Sequence, residues 1–324
     1  MLTLLFAVQI NSACSIVYNS NIDIDGCSFS GISHASDGGV IFCCGDYSSK
    51  IKNTMFFNIS AGKGGALFHE SNGNNNVSNV CASNCRALNN YHFGLIKLNN
   101  GNAVSGLNMV SVTYCSKNAE GSFTLLNQYG HIGFNNNNIS ENHVNYDGVT
   151  KFEVFHNLDC SFCTFCSNYY TNTNCLFIKS SIPSSSIIKS NFIGNNGGST
   201  NHMICFDWYS QKILKECVIH SNIGPLFSVY GGTLTLDSCI LNHSGLISSA
   251  SIILLNTSLT FTASLFLTHF QTYFCPYIPS QTPAQSHYST ILRTYDQRCI
   301  QLSNIRLTHS TYMFPVFVSF IILK

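Results

Sequence analysis

The segments TFCSN (164–168), SNFIGN (190–195) and CVIHSN (217–222) each end on an Asn, and each carries an apolar residue three positions earlier. Worked outward from these three, the same pair recurs along most of the chain. The Asn column is Asn58, Asn84, Asn118, Asn142, Asn168, Asn195, Asn222 and Asn242, with Ile32 in the equivalent place before the first. The partner column is Phe29, Met55, Cys81, Cys115, Ile139, Phe165, Phe192, Ile219 and Cys239. Successive spacings are 26, 26, 34, 24, 26, 27, 27 and 20 residues. A near-fixed period of this size marks a stack of like units, not one globular core.

Three kinds of short segment follow one another within each period. The first ends on the Asn column. The second follows a Gly- or Asn-bearing turn: GGVIF (38–42), GGALF (64–68), FGLIKL (93–98), CLFIKS (175–180) and PLFSVY (225–230). The third follows another polar turn: HIGF (131–134), SSIIKS (185–190), KILKE (212–216) and TLTLD (233–237). All are short, alternating and rich in β-branched or aromatic residues, and no segment sustains a helical period. Three short strands per repeat describe one coil of a parallel β-helix. The fold class expected is therefore all-β: a right-handed parallel β-helix of roughly nine to eleven coils. The hand follows from the near-universal right-handed crossover between parallel strands.

Residues two apart on a strand share a face. The apolar column is therefore expected to stack in the bore. With it should go the small or polar column two residues earlier, which reads Cys27, Asn53, Asn79, Thr113, Asn137, Cys163, Ser190, Cys217 and Asp237. Asn tolerates left-handed backbone angles and bonds nearby backbone. The Asn column is thus expected to turn the chain between faces and to form an amide ladder.

Composition narrows the rest. Charged residues are 9% of the chain, and the net charge is +1. That leaves no field to attract nucleic acid or another polyanion. Apolar content of 45% excludes a disordered chain. Sixteen Cys fall mostly within strand-like segments. Buried thiols and disulfides both fit that placement, and Cys81 and Cys115, one coil apart in phase, are candidate bridge partners. Residues 1–13 have the form of a secretory leader, with Leu2 to Ile10 also readable as a first strand. The β-helix is expected over 14–260. An irregular cap with a Pro-rich loop follows over 261–312, and an apolar tail over 313–324. The tail is shorter than the ~20 residues that span a bilayer, but it offers a route to membrane association. Sequons stand at Asn58, Asn76, Asn138, Asn242 and Asn256. Asn76, Asn138 and Asn256 are the expected glycan sites, whereas Asn58 and Asn242 are expected to be tucked into the ladder.

Gly64-Gly65-Ala66-Leu67, with its variant Gly38-Gly39-Val40-Ile41, resembles the GGA(I/L/V) tetrad. Phe165-Cys166-Ser167-Asn168 and Phe192-Ile193-Gly194-Asn195 resemble FxxN. Both motifs repeat through the polymorphic outer-membrane protein family and through large sets of similar surface proteins in some parasitic protists. The resemblance covers roughly 14–260. It implies a right-handed, pectate-lyase-like β-helix, a secreted or cell-surface location, and a role in adhesion or antigenic display. Two departures stand out: the GGA tetrad is lost after its second copy, and the C-terminal barrel of the bacterial members has no counterpart in 261–324.

Residue chemistry adds no enzyme signature. Lyases and hydrolases on β-helices need clustered carboxylates, or a calcium site with a basic residue. Asp23 and Asp25 form the only close acidic pair, readable as a cation site or as two solvated strand residues. Cys160, Cys163 and Cys166 alternate faces, which suits zinc poorly. Phe206, Trp208 and Tyr209 could stack on a sugar or pack within a coil. The expectation is a non-enzymatic, secreted or surface β-helix, without catalytic residue, cofactor or metal and without nucleic acid as partner. Its expected partner is a host-cell or extracellular glycan or protein, and the residues leave the oligomeric state open. Two alternatives stand beside it: a carbohydrate-binding or polysaccharide-degrading enzyme of pectate-lyase-like fold, and a degenerate member of a surface-protein gene set with no function of its own.

Overall fold

The computed structural model describes residues 20–116, 122–146, 148–182, 184–207, 210–242 and 251–259, with the strand backbone of 2–5, 9–10 and 16–18. Among these residues there is no helix, and every paired strand is parallel to its neighbour. The chain winds as a β-solenoid with three faces. Passes along face one begin at Ile22, Ser49, Asn75, Val104, His131, Asn157, Ser184, Ser210, Gly232 and Ser251. Face two is short, as in Thr164–Cys166, Asn191–Ile193 and Val218–His220. Faces one and two together make an 18-stranded sheet, and face three is a separate sheet of nine strands. The passes from Gly232 and Ser251 have no described third face, so complete rungs are slightly fewer than the nine to eleven expected. In the leader-like stretch, Leu2–Leu5 pairs with Ile22–Asp25, and Gln9–Ile10 pairs with Ser28 and Phe29. The expected cap and tail, 261–324, lie outside the described residues.

The register defines the core column directly. Phe29, Phe56, Ala82, Val112, Ile139, Phe165, Phe192, Ile219 and Leu241 pair in succession, and all are fully buried. Phe165 and Phe192 stack with centroids 5.0 Å apart and planes 1° apart. Phe29 and Phe56 stack at 5.5 Å. Both separations are close to the ~4.8 Å between strands, so like rings sit face to face as the rungs repeat. Four expected members lie elsewhere. Met55 and Cys81 come one residue too early and point away from the bore on face two, pairing with each other and with Ser28 and Ser111. Cys115 lies three residues beyond Val112, in the next inward column, and Cys239 lies two residues before Leu241, at the preceding corner. The cause is the strand period of two: a one-residue slip turns a side chain to the opposite face.

The Asn column likewise divides into two. Asn58 and Asn84 hold left-handed φ of 53°, in line with Gly31, Tyr114, Glu141, Ser167, Gly194 and Ser221. The residue after each of these turns inward: Ile32, Ile59, Cys85, Cys115, Asn142, Asn168, Asn195 and Asn222, all buried. Asn242 pairs with His220, one residue after the core column, and so is outside the ladder. Asn118 lies outside the described residues. A second left-handed column bounds the other end of face two: Gly26, Asn53, Asn79, Met109, Asn136, Phe162, Lys189, Glu216, Ser238 and Asn256. Its inward followers include Cys27, Thr54, Asn137, Cys163, Ser190, Cys217 and Cys239. Face two is thus a four-residue span held between two left-handed bends.

The Gly pairs mark a third bend, before face three. Gly38 and Gly64 have φ of 68° and 60°. A Cβ on Gly39 would sit 2.1 Å from Gly65 C=O, and one on Gly65 would sit 2.0 Å from His92 C=O. The first Gly supplies the bend and the second lets the next rung approach. In the rungs that lose the tetrad, Tyr91 and Phe123 take the left-handed position instead, at φ 68° and 53°.

Gly65→Ala should therefore destabilise the chain by about 1–3 kcal/mol through backbone overpacking. Gly31→Ala should lose only about 1 kcal/mol, from the left-handed angle, because an added Cβ there meets nothing within 4 Å. Urea unfolding of the two variants measures the difference, and equal losses would remove the close-approach explanation.

Candidate functional site

Over the rungs from Cys115 to Asn222, each left-handed bend takes the N–H of the inward residue after it out of the ladder, and the side chain of the next rung accepts from it: Cys115 N–H donates to Asn142 Oδ1 at 3.0 Å, Asn142 to Asn168 at 3.1 Å, Asn168 to Asn195 at 3.1 Å and Asn195 to Asn222 at 2.9 Å. The same side chain donates to a carbonyl of the rung before. Asn142 Nδ2 donates to Val112 C=O at 2.9 Å, Asn168 to Ile139 at 2.8 Å, Asn195 to Phe165 at 2.8 Å and Asn222 to Phe192 at 2.8 Å. The same amides bond one another: Asn142 Nδ2 donates to Asn168 Oδ1 at 3.1 Å, Asn168 to Asn195 at 2.9 Å and Asn195 to Asn222 at 3.0 Å. At the other bend the donors are mixed. Asn137 Nδ2 reaches Leu107 C=O at 3.0 Å, Cys163 Sγ reaches Phe134 at 3.1 Å, Cys239 Sγ reaches Leu214 at 3.2 Å and Thr257 Oγ1 reaches Leu236 at 2.8 Å. Much of the Cys content has this role: a small buried side chain with one weak donor.

Three rungs carry a polar patch between faces one and three. Ser49, Asn75 and Ser105 stack on face one, opposite His69 and Asn127. Ser49 Oγ donates to Asn75 Oδ1 at 2.8 Å and lies 2.9 Å from His69 Nδ1. The hydroxyl proton is committed to Asn75, so His69 Nδ1–H is the donor to Ser49. Burial pushes the His69 imidazole down to about 4. Further along, Lys212 enters the bore between Ser185 and Leu234. Burial draws its ammonium down to about 8, against the opposing pull of Asp207. Its inward placement was readable from its parity with Leu214.

Outside the bore, several of the described carboxylates tie rungs together. Lys50 meets Asp23 at 3.9 Å, Asn53 Nδ2 donates to Asp25 at 2.7 Å, Lys97 meets Glu70 at 2.6 Å, Asn135 Nδ2 donates to Asp159 at 3.1 Å and Lys189 meets Glu216 at 3.6 Å. Asp23 and Asp25 do share a face, but each is engaged by the next rung. Face three bears an outward charged column that residue spacing did not disclose: Glu70, Lys97, Gln128, Glu153, Lys179 and Asp207 pair in succession. Glu153 accepts from Gln128 at 2.7 Å and from Lys151 at 2.6 Å. Beside it runs an apolar column in which Phe42 stacks on Phe68 and Lys151 lies 5.2 Å from the rings of Phe123 and Phe177.

The remaining candidates are dispersed. Cys160, Cys163 and Cys166 are free thiols, the first two buried. Cys115 is free, so it is not bridged to Cys81. Among the described residues, no group of three or more His, Cys, Asp or Glu side chains could hold a metal ion. Phe206 packs in the bore, while Trp208, Tyr209 and His243 lie outside the described residues. Of the sequons, Asn58, Asn76 and Asn256 are exposed. Asn138, expected to be open, is buried on face two with Oδ1 bonded to Ser140. The side chain of Asn242 lies outside the described residues.

Asn168→Leu should lose about 3 kcal/mol or more, because it strands Asn142 N–H and both flanking amides in the bore. Asn84→Gly keeps its bend and loses one 3.1 Å bond to Asn58, so it should shift stability by about 1 kcal/mol or less. Equal losses in urea titrations would show that the buried ladder is not special. His69 contributes a pH dependence of definite sign. Its folded value near 4 is below the free imidazole's 6.5, so unfolding takes up a proton between them. The stability it contributes is complete above pH 6.5 and falls by up to roughly 3 kcal/mol as the pH drops toward 4. Melting temperatures across that range should decline less steeply in His69→Gln, and parallel curves would refute the assignment. No protein-family model, no curated protein and no solved structure matches the chain.

Proposed function

We propose that the chain is a non-enzymatic scaffold displayed outside the cell, a secreted or surface β-helix of the GGA(I/L/V)/FxxN repeat type, serving adhesion or antigenic display. The observation that carries this reading is the use of the acids. Asp23, Asp25, Glu70, Glu153, Asp159 and Glu216 are all spent on bonds to a neighbouring rung. A stack that commits its carboxylates to its own cohesion is built to hold a surface. The exposed sequons Asn58, Asn76 and Asn256 suit an extracellular setting. Its partner on this reading is a host-cell or extracellular glycan or protein.

One observation favours a polysaccharide-cleaving enzyme instead. Glu153, Lys179 and Asp207 follow one another on face three, which sets two carboxylates two rungs, or about 10 Å, apart. That is near the upper end of the separation used by inverting glycosidases. Polysaccharide turnover abolished by both Glu153→Gln and Asp207→Asn would establish this second reading.

The test of the first is to express the full chain with an internal tag in a secretory eukaryotic host. The tag should be digested by protease added to intact cells, or be found in the medium. Glycan should be present on Asn58, Asn76 and Asn256 and absent from Asn138. A protease-protected intracellular tag with all sequons bare would overturn the display reading.

A further inference from the structure

The register stacks cysteine on cysteine at two places in the bore. Between faces one and two, Cys217 and Cys239 hold the inward position of consecutive rungs: Val218 pairs with Ile240, and Ile240 N–H donates to Cys217 C=O at 2.9 Å. Between faces two and three, Cys85 and Cys115 do the same, with Ser116 N–H donating to Cys85 C=O at 3.1 Å. Within each pair the two thiols face each other across one rung spacing, and all four are free and buried. Stacked residues of parallel strands lie about 4.8 Å apart, inside the roughly 4.4–6.8 Å between Cα atoms that a disulfide spans.

We propose that Cys217–Cys239 and Cys85–Cys115 are inter-rung cross-linking sites, each closing as a disulfide by exchange with a small disulfide such as oxidised glutathione. One protein thiolate attacks the glutathione disulfide, forming a mixed disulfide and releasing one glutathione thiolate. The second protein thiolate attacks the protein sulfur and expels the other. Two cysteine thiols lose two protons and two electrons, and one glutathione disulfide becomes two glutathione thiols. Cys160 and Cys163 also lie near each other, but within one rung, so a bridge there would tie no rungs together. Cys163 and Cys217 are separated in their column by Ser190, which places them about 10 Å apart. Closure of Cys217–Cys239 takes the thiol donors from Ile187 C=O and Leu214 C=O, bonds of 3.5 and 3.2 Å. These are weak bonds, and the bridge replaces them with a covalent tie between rungs. Burial shields the thiols in the finished stack, so closure belongs to folding.

The experiment refolds the full chain from its reduced, denatured state in a glutathione redox buffer, blocks the remaining thiols and maps the peptides. The expected products are a Cys217–Cys239 and a Cys85–Cys115 linked peptide, each two hydrogens lighter than its free parts. The oxidised protein should also have a higher urea midpoint than the reduced. Cys239→Ser keeps a donor for Leu214 C=O; it should lose the first bridge and retain the second. Four fully alkylated thiols in cooperatively unfolding protein would overturn the proposal, as would a Cys163–Cys217 linkage. Should refolding fail, the same map on chain secreted by an oxidising host decides between these outcomes. The refolding result does not depend on where the chain resides in life, so failure here leaves the display reading untouched.

Discussion

One constraint organises the molecule: an N–H turned out of the ladder into a dry bore must find an acceptor. A straight pass between rungs satisfies every main-chain group through the parallel ladder. A three-faced coil cannot be straight, and the left-handed residues at Gly31, Asn58, Asn84 and their counterparts are where it bends. Each such bend detaches an N–H, such as that of Asn142 or Asn168, from the ladder. An unmet N–H there would lose about 1–3 kcal/mol per rung, enough over several rungs to consume the stability of an ordinary domain. The inward amides of Asn168 and Asn195 remove that loss, each accepting at 3.1 Å.

This constraint also explains the division of labour between inside and outside. The bore asks for apolar bulk on the faces and a small hydrogen-bonding side chain at the corners. Phe165 on Phe192 supplies the first and Asn168 on Asn195 the second. Apart from Lys212, the described charges lie outside the bore, and several of them are used in pairs. Lys97 on Glu70 and Lys189 on Glu216 each join rungs that the ladder already joins. Exposed pairs of this kind add little stability one by one. Their value is registry, because a slip of one residue along a strand would set each charge against the bore.

The repeat and its apolar column were legible in the residues because both follow from side-chain alternation. Phe165, Phe192 and Ile219 share one phase with Asn168, Asn195 and Asn222, and over those rungs the sequence reads like the structure. Toward the start the reading slipped. Asn58 and Asn84 do turn the chain, but they sit at the bend itself, one residue ahead of the ladder position held by Ile59 and Cys85. Asn suits both places for different reasons: at the bend it tolerates the angle, and beyond it, it offers the donor. Composition cannot separate these uses, and counting back three from Asn58 and Asn84 lands on Met55 and Cys81, one residue short of Phe56 and Ala82 in the core. The charged column on face three was hidden for another reason. Glu70, Lys97, Glu153, Lys179 and Asp207 are far apart along the chain, and only the register between rungs brings them into line.

The corner rule asks for a class of side chain, not for an identity. Asn137, Cys163, Cys239 and Thr257 all meet a corner carbonyl, from an amide, two thiols and a hydroxyl. Ser190 at the same column turns its hydroxyl to Ile188 C=O of its own strand instead. The bends are equally permissive: Gly194, Ser167 and Glu141 hold the same left-handed position in three rungs. A fold specified by such classes can exchange most of its residues and keep its rungs, provided that exchanges at bend, corner and core stay within their class. The outer positions are freer still, since their side chains owe the bore nothing. A stack of this kind therefore keeps its shape while its exterior changes, which is the physical requirement for a surface whose value lies in what it presents.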